Sequence, residues 1–233
     1  MKTLVYTMAL GDECWNLAVH MVYALRTFGK FNGDIRIFTE RDATMVGADV
    51  IRYRDMVPLR RPTIAKALIG KDMDCSAYDR IVWMDADVVT IAPVRELFEQ
   101  TKCHVASEAI VSHPSHVRSF SLPKYPCDLG TLGMNTGVIT CEAQDWNAIC
   151  QTWWDCIVDA RTWEVEHNFG DQPAFNHLVR HGAIRAEAMP LGTMAFLVGV
   201  CPTVSKETLF VHTRGDKLEV MRCIISMMKR FLL

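Results

Sequence analysis

Tyr78-Asp79-Arg80-Ile81-Val82-Trp83-Met84-Asp85-Ala86-Asp87 is the stretch that decides the fold. Ile81 to Met84 is unbroken apolar sequence, rich in β-branched and aromatic side chains and free of turn formers. A run this short and this apolar reads as a buried strand, Arg80–Met84. It stops at two aspartates one residue apart. Residues i and i+2 of an extended chain point to one side, so Asp85 and Asp87 are expected to face a common point. Open α/β sheets bind ligands at that carboxyl edge.

Working outward, strand and helix signals alternate. Leu4–Met8 reads as a buried strand. Cys14–Phe28 carries Leu17, Met21, Val22, Leu25 and Phe28 at helical spacing and is closed by Gly29. Asp34–Phe38 and Asp49–Tyr53 read as strands, and Pro62–Ile69 as a short helix with proline near its start. Val88–Ile91 resumes the extended pattern, and Val94–Gln100 is a turn or two of helix. After His104–Ser107, Ser112 to Gly133 is loop-like. Gly137–Cys141 is a strand, Asp145–Ala160 and Gln172–His181 are helices, Phe210–Val211 is a strand, and Leu218–Arg230 is a terminal helix. The alternation predicts an α/β fold with a Rossmann-like, mixed but mostly parallel sheet flanked by helices. No repeat or linker interrupts residues 1–233, so one domain is expected.

Twenty-five Lys and Arg face 27 Asp and Glu, a formal net charge of −2. That balance gives broad nucleic-acid binding no electrostatic basis. No apolar run is long enough to span a bilayer, and the start of the chain has no signal-peptide pattern. Nine cysteines, an odd number with no Cys-x-x-Cys, read as reduced thiols, with Cys14, Cys150, Cys156 and Cys223 in apolar or helical context. Reduced thiols point to the cytoplasm or the reducing face of a membrane.

Two carboxylates at a sheet edge suit a hard divalent cation such as Mn²⁺ or Mg²⁺, and such a cation suits a departing diphosphate. On the residues alone, Asp85 and Asp87 read equally as aspartates of a strand-end turn. Asp72-Met73-Asp74 repeats the pattern without a leading strand and reads as a solvated loop. His177 and His181, at i and i+4, read as surface histidines, and His113 and His116 as loop residues. Trp146, Trp153, Trp154 and Trp163 read as core. The basic amphipathic terminal segment reads as a helix packed on the domain.

Four further pieces in the same order give the chain its resemblance. Lys66 stands in Ala65-Lys66-Ala67-Leu68 before the Asp85-Ala86-Asp87 strand. Asn135-Thr136-Gly137-Val138 follows, then Asp171-Gln172-Pro173-Ala174-Phe175-Asn176, then His212-Thr213-Arg214-Gly215. Over most of its length the chain resembles the family-8 glycosyltransferases, which include glycogenin and bacterial galactosyltransferases. The resemblance implies a single-domain A-type glycosyltransferase fold, with donor binding over about 1–105 and acceptor and catalytic functions over about 106–233. It implies Mn²⁺ (or Mg²⁺) held by Asp85, Asp87 and His212, a UDP-sugar donor, and a glycan, protein or small-molecule acceptor. Lys66 and Lys217 would sit near the donor phosphates, with Ala86 and Gly215 beside them. Asn135 would lie by the sugar, and Asp171 and Gln172 at the catalytic centre. Ala9 and Asp12 would face the nucleoside. Transfer would retain anomeric configuration.

The pattern has departures. In His212-Thr213-Arg214-Gly215-Asp216-Lys217-Leu218 the lysine comes one residue early and the family's Pro-Trp is missing, so Arg214 shares the candidacy for the diphosphate. Trp15 or Cys14 stands where the family has a tyrosine. A sugar-nucleotide pyrophosphorylase shares the sheet topology but wants a glycine-rich, basic first loop, and only Gly11 stands there. A non-catalytic sugar-nucleotide binder is the third reading.

Overall fold

The computed structural model describes residues 1–53, 62–112, 117, 119–122, 124–160, 171–197, 204–213 and 216–232. Its strands are β1 (Thr3–Met8), β2 (Asp34–Thr39), β3 (Asp49–Arg52), β4 (Arg80–Met84), β5 (Val88–Thr90), β6 (His104–Ile110), β7 (Leu132–Glu142), β8 (Glu187–Ala188), β9 (Met194–Leu197) and β10 (Phe210–Thr213). Its helices are α1 (Gly11–Thr27), α2 (Ala65–Asp72), α3 (Arg95–Phe98), α4 (Ala143–Asp159), α5 (Asp171–Arg180) and α6 (Lys217–Leu232). Seven strands form one sheet in the order β3-β2-β1-β4-β7-β6-β8. Pairing is parallel from β3 through β4 and between β6 and β8, while β7 runs against both its neighbours. The mixed, mostly parallel α/β architecture read from the sequence is the one present.

The pleat of β4 divides the core. Val82 and Met84 pack with Leu17, Met21 and Leu25 of α1 and Met221, Ile224 and Ile225 of α6. Ile81 and Trp83 face the other way, toward Ala67 and Ile69 of α2, Trp146 and Trp153 of α4 and Phe175 of α5. Trp146 and Trp153 are fully buried, and truncating either to alanine should cost about 3–5 kcal/mol. They are core, as their spacing indicates. Trp163 lies outside the described residues.

Val88–Thr90 does not extend the central sheet. It pairs antiparallel with β10, which pairs in parallel with β9, as a separate three-stranded sheet. β8 and β9, of two and four residues, are too short to show a period. β7 begins at Leu132 rather than Gly137, because Asn135 and Thr136 occupy strand positions that a hydrophobic pattern does not mark. α1 begins at Gly11, three residues before the apolar stripe. Gly11 has φ 74°, a conformation glycine adopts freely, and its N–H donates to Glu40 Oε1 at 2.8 Å.

Eight cysteines are described, all as free thiols. Cys150 and Cys156 are buried, but Cys223 is exposed, since the apolar face of α6 runs through Met221, Ile224 and Ile225 beside it. α6 packs on α1, with the Lys229 ammonium 4.8 Å from the centroid of the Tyr23 ring. Among the described residues no helix is long and apolar enough to cross a membrane.

Candidate metal centre

The site forms where β4 ends. Val88 N–H donates to the Asp85 carbonyl at 3.1 Å, closing a turn over Asp85–Val88. Asp85 and Asp87 are therefore brought together by a turn, not by the extended backbone that their spacing suggested. Asp85 N–H donates to the Gly137 carbonyl of β7 at 2.7 Å, which ties the turn to the sheet. Beyond the turn, β5 and β10 register His212 opposite Val88. Thr213 holds the Asp87 carbonyl twice, from N–H and from Oγ1, each at 3.0 Å. This short antiparallel pairing carries His212 back to a turn far from it in sequence.

His212 Nε2 lies 3.2 Å from Asp87 Oδ1 and 3.9 Å from Asp85 Oδ2. One ligand atom from each of the three residues lies within 4.8 Å of the others. Burial disfavours charge on both partners, yet His212 and Lys217 hold the Asp87 carboxyl well below its usual range, and Asp87 holds the imidazole above its own. Lys217, the first residue of α6, donates to Asp87 Oδ2 at 2.6 Å. The three groups fit a divalent cation. Their donors are two carboxylates and an imidazole, and the backbone leaves room for them. A Cβ at Gly137 would lie 2.7 Å from Asn135 Oδ1, 3.0 Å from His212 Cε1 and 3.2 Å from Asp85 Oδ2. Gly137→Ala should therefore displace the ligands and weaken Mn²⁺ binding by roughly 10-fold or more, on the scale of lost supporting contacts. Calorimetric titration with Mn²⁺ measures it.

A buried ion network stands behind this cluster. The Lys66 ammonium lies 3.1 Å from Asp85 Oδ1 and 2.8 Å from Asp171 Oδ2, and also donates to the carbonyl and Oγ1 of Thr136 at 3.2 and 3.3 Å. Burial alone would lower the Lys66 pKa, but Asp171 and Asp85 together raise it. Burial pushes the Asp171 carboxyl up, with Lys66 and Thr136 pulling it back. Standing after Gly170 and just before the helix read over Gln172–His181, Asp171 reads from sequence as that helix's N-cap; the structure makes it the first helical residue. Its carboxylate serves Lys66 and Thr136 Oγ1, the latter at 2.6 Å.

Asn135 accepts from Gly137 N–H at 2.8 Å and donates to Glu108 Oε2 at 2.9 Å. Gln172 donates to Glu108 Oε2 at 3.4 Å and to the Ser119 carbonyl at 3.1 Å. Asn176 grips both backbone groups of Met134, accepting at 2.9 Å and donating at 2.8 Å, which docks α5 on β7. Ala86 occupies the Asp85–Val88 turn. Ala9 follows β1 with its N–H on the Phe38 carbonyl at 2.9 Å, and Asp12 is an exposed ion-pair partner of Arg41 at the start of α1. Gly215 and Arg214, with His113 and His116, lie outside the described residues.

Glu108, Thr136, Gly137 and Trp83 escaped the sequence reading as site residues. Glu108 had one signal, a carboxylate inside the strand run of β6. The Asp72 and Asp74 pair is peripheral: Asp72 pairs with its neighbour Lys71 at 2.7 Å, and Asp74 accepts from Ser76 N–H at 2.9 Å. Two cavities of about 650 and 630 Å³ open at the opposite edge of the sheet. Residues such as Cys103 and Cys141 line one, and Thr3 and Asp79 the other, so neither contains the metal cluster. No protein-family model matches the chain, and no curated protein matches it.

Proposed function

We propose that this protein is a metal-dependent glycosyltransferase that moves a sugar from a UDP-sugar to an acceptor hydroxyl with retention of configuration. The observation that carries the reading is the convergence of Asp85, Asp87 and His212 at the carboxyl edge of a mostly parallel sheet. Asp85, Asp87 and His212 would hold Mn²⁺ or Mg²⁺. A cation there neutralises the charge that develops on the leaving diphosphate. The A-type fold implied by the motif order belongs to the same proposal.

The chain's own groups supply the rest. Lys217 is partly exposed and opens α6, so its ammonium and the helix's N-terminal N–H groups offer positive charge beside the metal ligands. It is the phosphate contact of this reading. Lys66 is nearly enclosed, with protein oxygens around its ammonium, and acts by fixing Asp85 and Asp171. The polar row of Asn135, Glu108 and Gln172 lies on the neighbouring strands and helix and faces the donor sugar. Asp171 supplies buried negative charge behind that row, where it favours an oxocarbenium-like transition state. Ala9 and Asp12, beyond β1, take the nucleoside side.

Incubation with a panel of UDP-sugars and Mn²⁺, followed by mass spectrometry, tests the reading. The expected result is release of UDP from a preferred donor, by slow hydrolysis where no acceptor is present. With pyrophosphate added, formation of UTP and a sugar 1-phosphate would mark a pyrophosphorylase. UDP-sugar binding without turnover would mark a non-catalytic binder.

A further inference from the structure

The two oxygens of Asp85 are not equivalent. Oδ2 faces His212 and the Gly137 backbone. Oδ1 accepts from the Trp83 indole N–H at 2.7 Å and from Lys66 at 3.1 Å. Trp83 and Asp85 stand two residues apart at the end of β4, so the indole lies on the side of the chain to which the carboxylate turns. The indole is itself held. Trp83 is buried, its ring meets the Tyr6 ring edge-on at 4.9 Å, and the Lys66 ammonium lies 5.3 Å from its centroid. A buried donor held by the Tyr6 ring and the Lys66 ammonium determines the carboxylate's rotation before any cation arrives.

Resting on the reading of Asp85 as a metal ligand, we propose that Trp83 is the positioning residue of the metal centre: its N–H engages Oδ1 and leaves Oδ2 as the single oxygen that Asp85 offers the cation. Indole is the side chain suited to this task. Its N–H donates and cannot accept, so it orients a carboxylate without competing for the ion. A phenyl ring would fill most of the same space and give no hydrogen bond. Groups that orient a ligand from behind are typically worth 10- to 100-fold in metal affinity.

The test joins a variant to a spectroscopic signature. Trp83→Phe should weaken Mn²⁺ binding by about 10- to 100-fold, measured by calorimetry, with circular dichroism reporting the fold. In the ¹⁵N-labelled wild type, the indole N–H resonance identified by its contacts with both the Tyr6 ring and the Lys66 side chain should move on addition of diamagnetic Mg²⁺. The cation draws charge from Asp85 and loosens the hydrogen bond. In Asp87→Ala the resonance should stay fixed over the same titration. The resonance test needs no substitution at Trp83, so it stands even where Trp83→Phe fails to fold. Unchanged Mn²⁺ affinity in a folded Trp83→Phe, or a stationary resonance in wild type saturated with Mg²⁺, overturns the role of Trp83 alone. A wild type with no saturable Mn²⁺ or Mg²⁺ binding overturns the metal reading and this inference with it.

Discussion

Asp87→Ala should abolish Mn²⁺-dependent UDP binding, lowering affinity by more than roughly 100-fold, since a ligand itself is worth more than the supporting contacts that cost 10- to 100-fold. The Asp87 carboxylate meets both His212, at 3.2 Å, and Lys217, at 2.6 Å. Removing it deletes one cation ligand and frees the other two groups from the geometry it imposes. The backbone should survive, because Thr213 holds the Asp87 carbonyl and not its side chain. Asp72→Ala is the control. It also deletes one negative charge, but from a surface side chain that pairs with its neighbour Lys71. UDP titration in Mn²⁺ compares the two variants with wild type. Equal losses would mean that bulk charge matters, or that the other pair binds the ion.

Asp171→Asn should cost both stability and turnover. At a helix N-cap the exchange would be nearly neutral, since Asp and Asn cap equally well. Here the carboxylate shares a buried ammonium with Asp85, and breaking a buried pair from one side costs about 3–5 kcal/mol. Asp85 still faces Lys66, so the low end of that range is expected, a fall in melting temperature of roughly 6–12 °C for a chain of this size. Combining Asp171→Asn with Lys66→Met should cost less than the sum, with a coupling of about 0.5–3 kcal/mol. Turnover should fall by on the order of 10²-fold, about 2.7 kcal/mol, at a temperature where the variant is folded. Unchanged turnover in the folded variant would leave Asp171 a purely structural residue.

The sequence reveals the site's metal face more fully than its supports. Arg80–Met84 and the two aspartates stand out because a buried strand must be apolar and its abrupt end is polar. Only the order of motifs points to His212, since the β5–β10 pairing that returns it leaves no local mark. The sequence marks β7 only from Gly137, because Asn135 and Thr136 face a polar edge and the strand lacks an apolar pattern where it matters most. Lys66, Thr136 and Asp171 form one buried network from three distant segments, and nothing at any one position announces it. Asp171 shows the consequence. Its local context fits a cap, and only the fold brings Lys66 to it. The turn at Asp85–Val88 is a similar case, in which the expected proximity arises from a different backbone geometry.

On the proposed function, Asp85, Asp87 and His212 hold a divalent cation through which the chain binds a UDP diphosphate. Calorimetric titration of the wild-type protein with UDP, once in Mn²⁺ and once in excess chelator, tests it most directly. Saturable binding is expected in Mn²⁺, with a loss of roughly 100-fold or more in chelator, the scale set by removing the charge that offsets the diphosphate. Equal affinity in the two titrations, or no UDP binding in either, would contradict it.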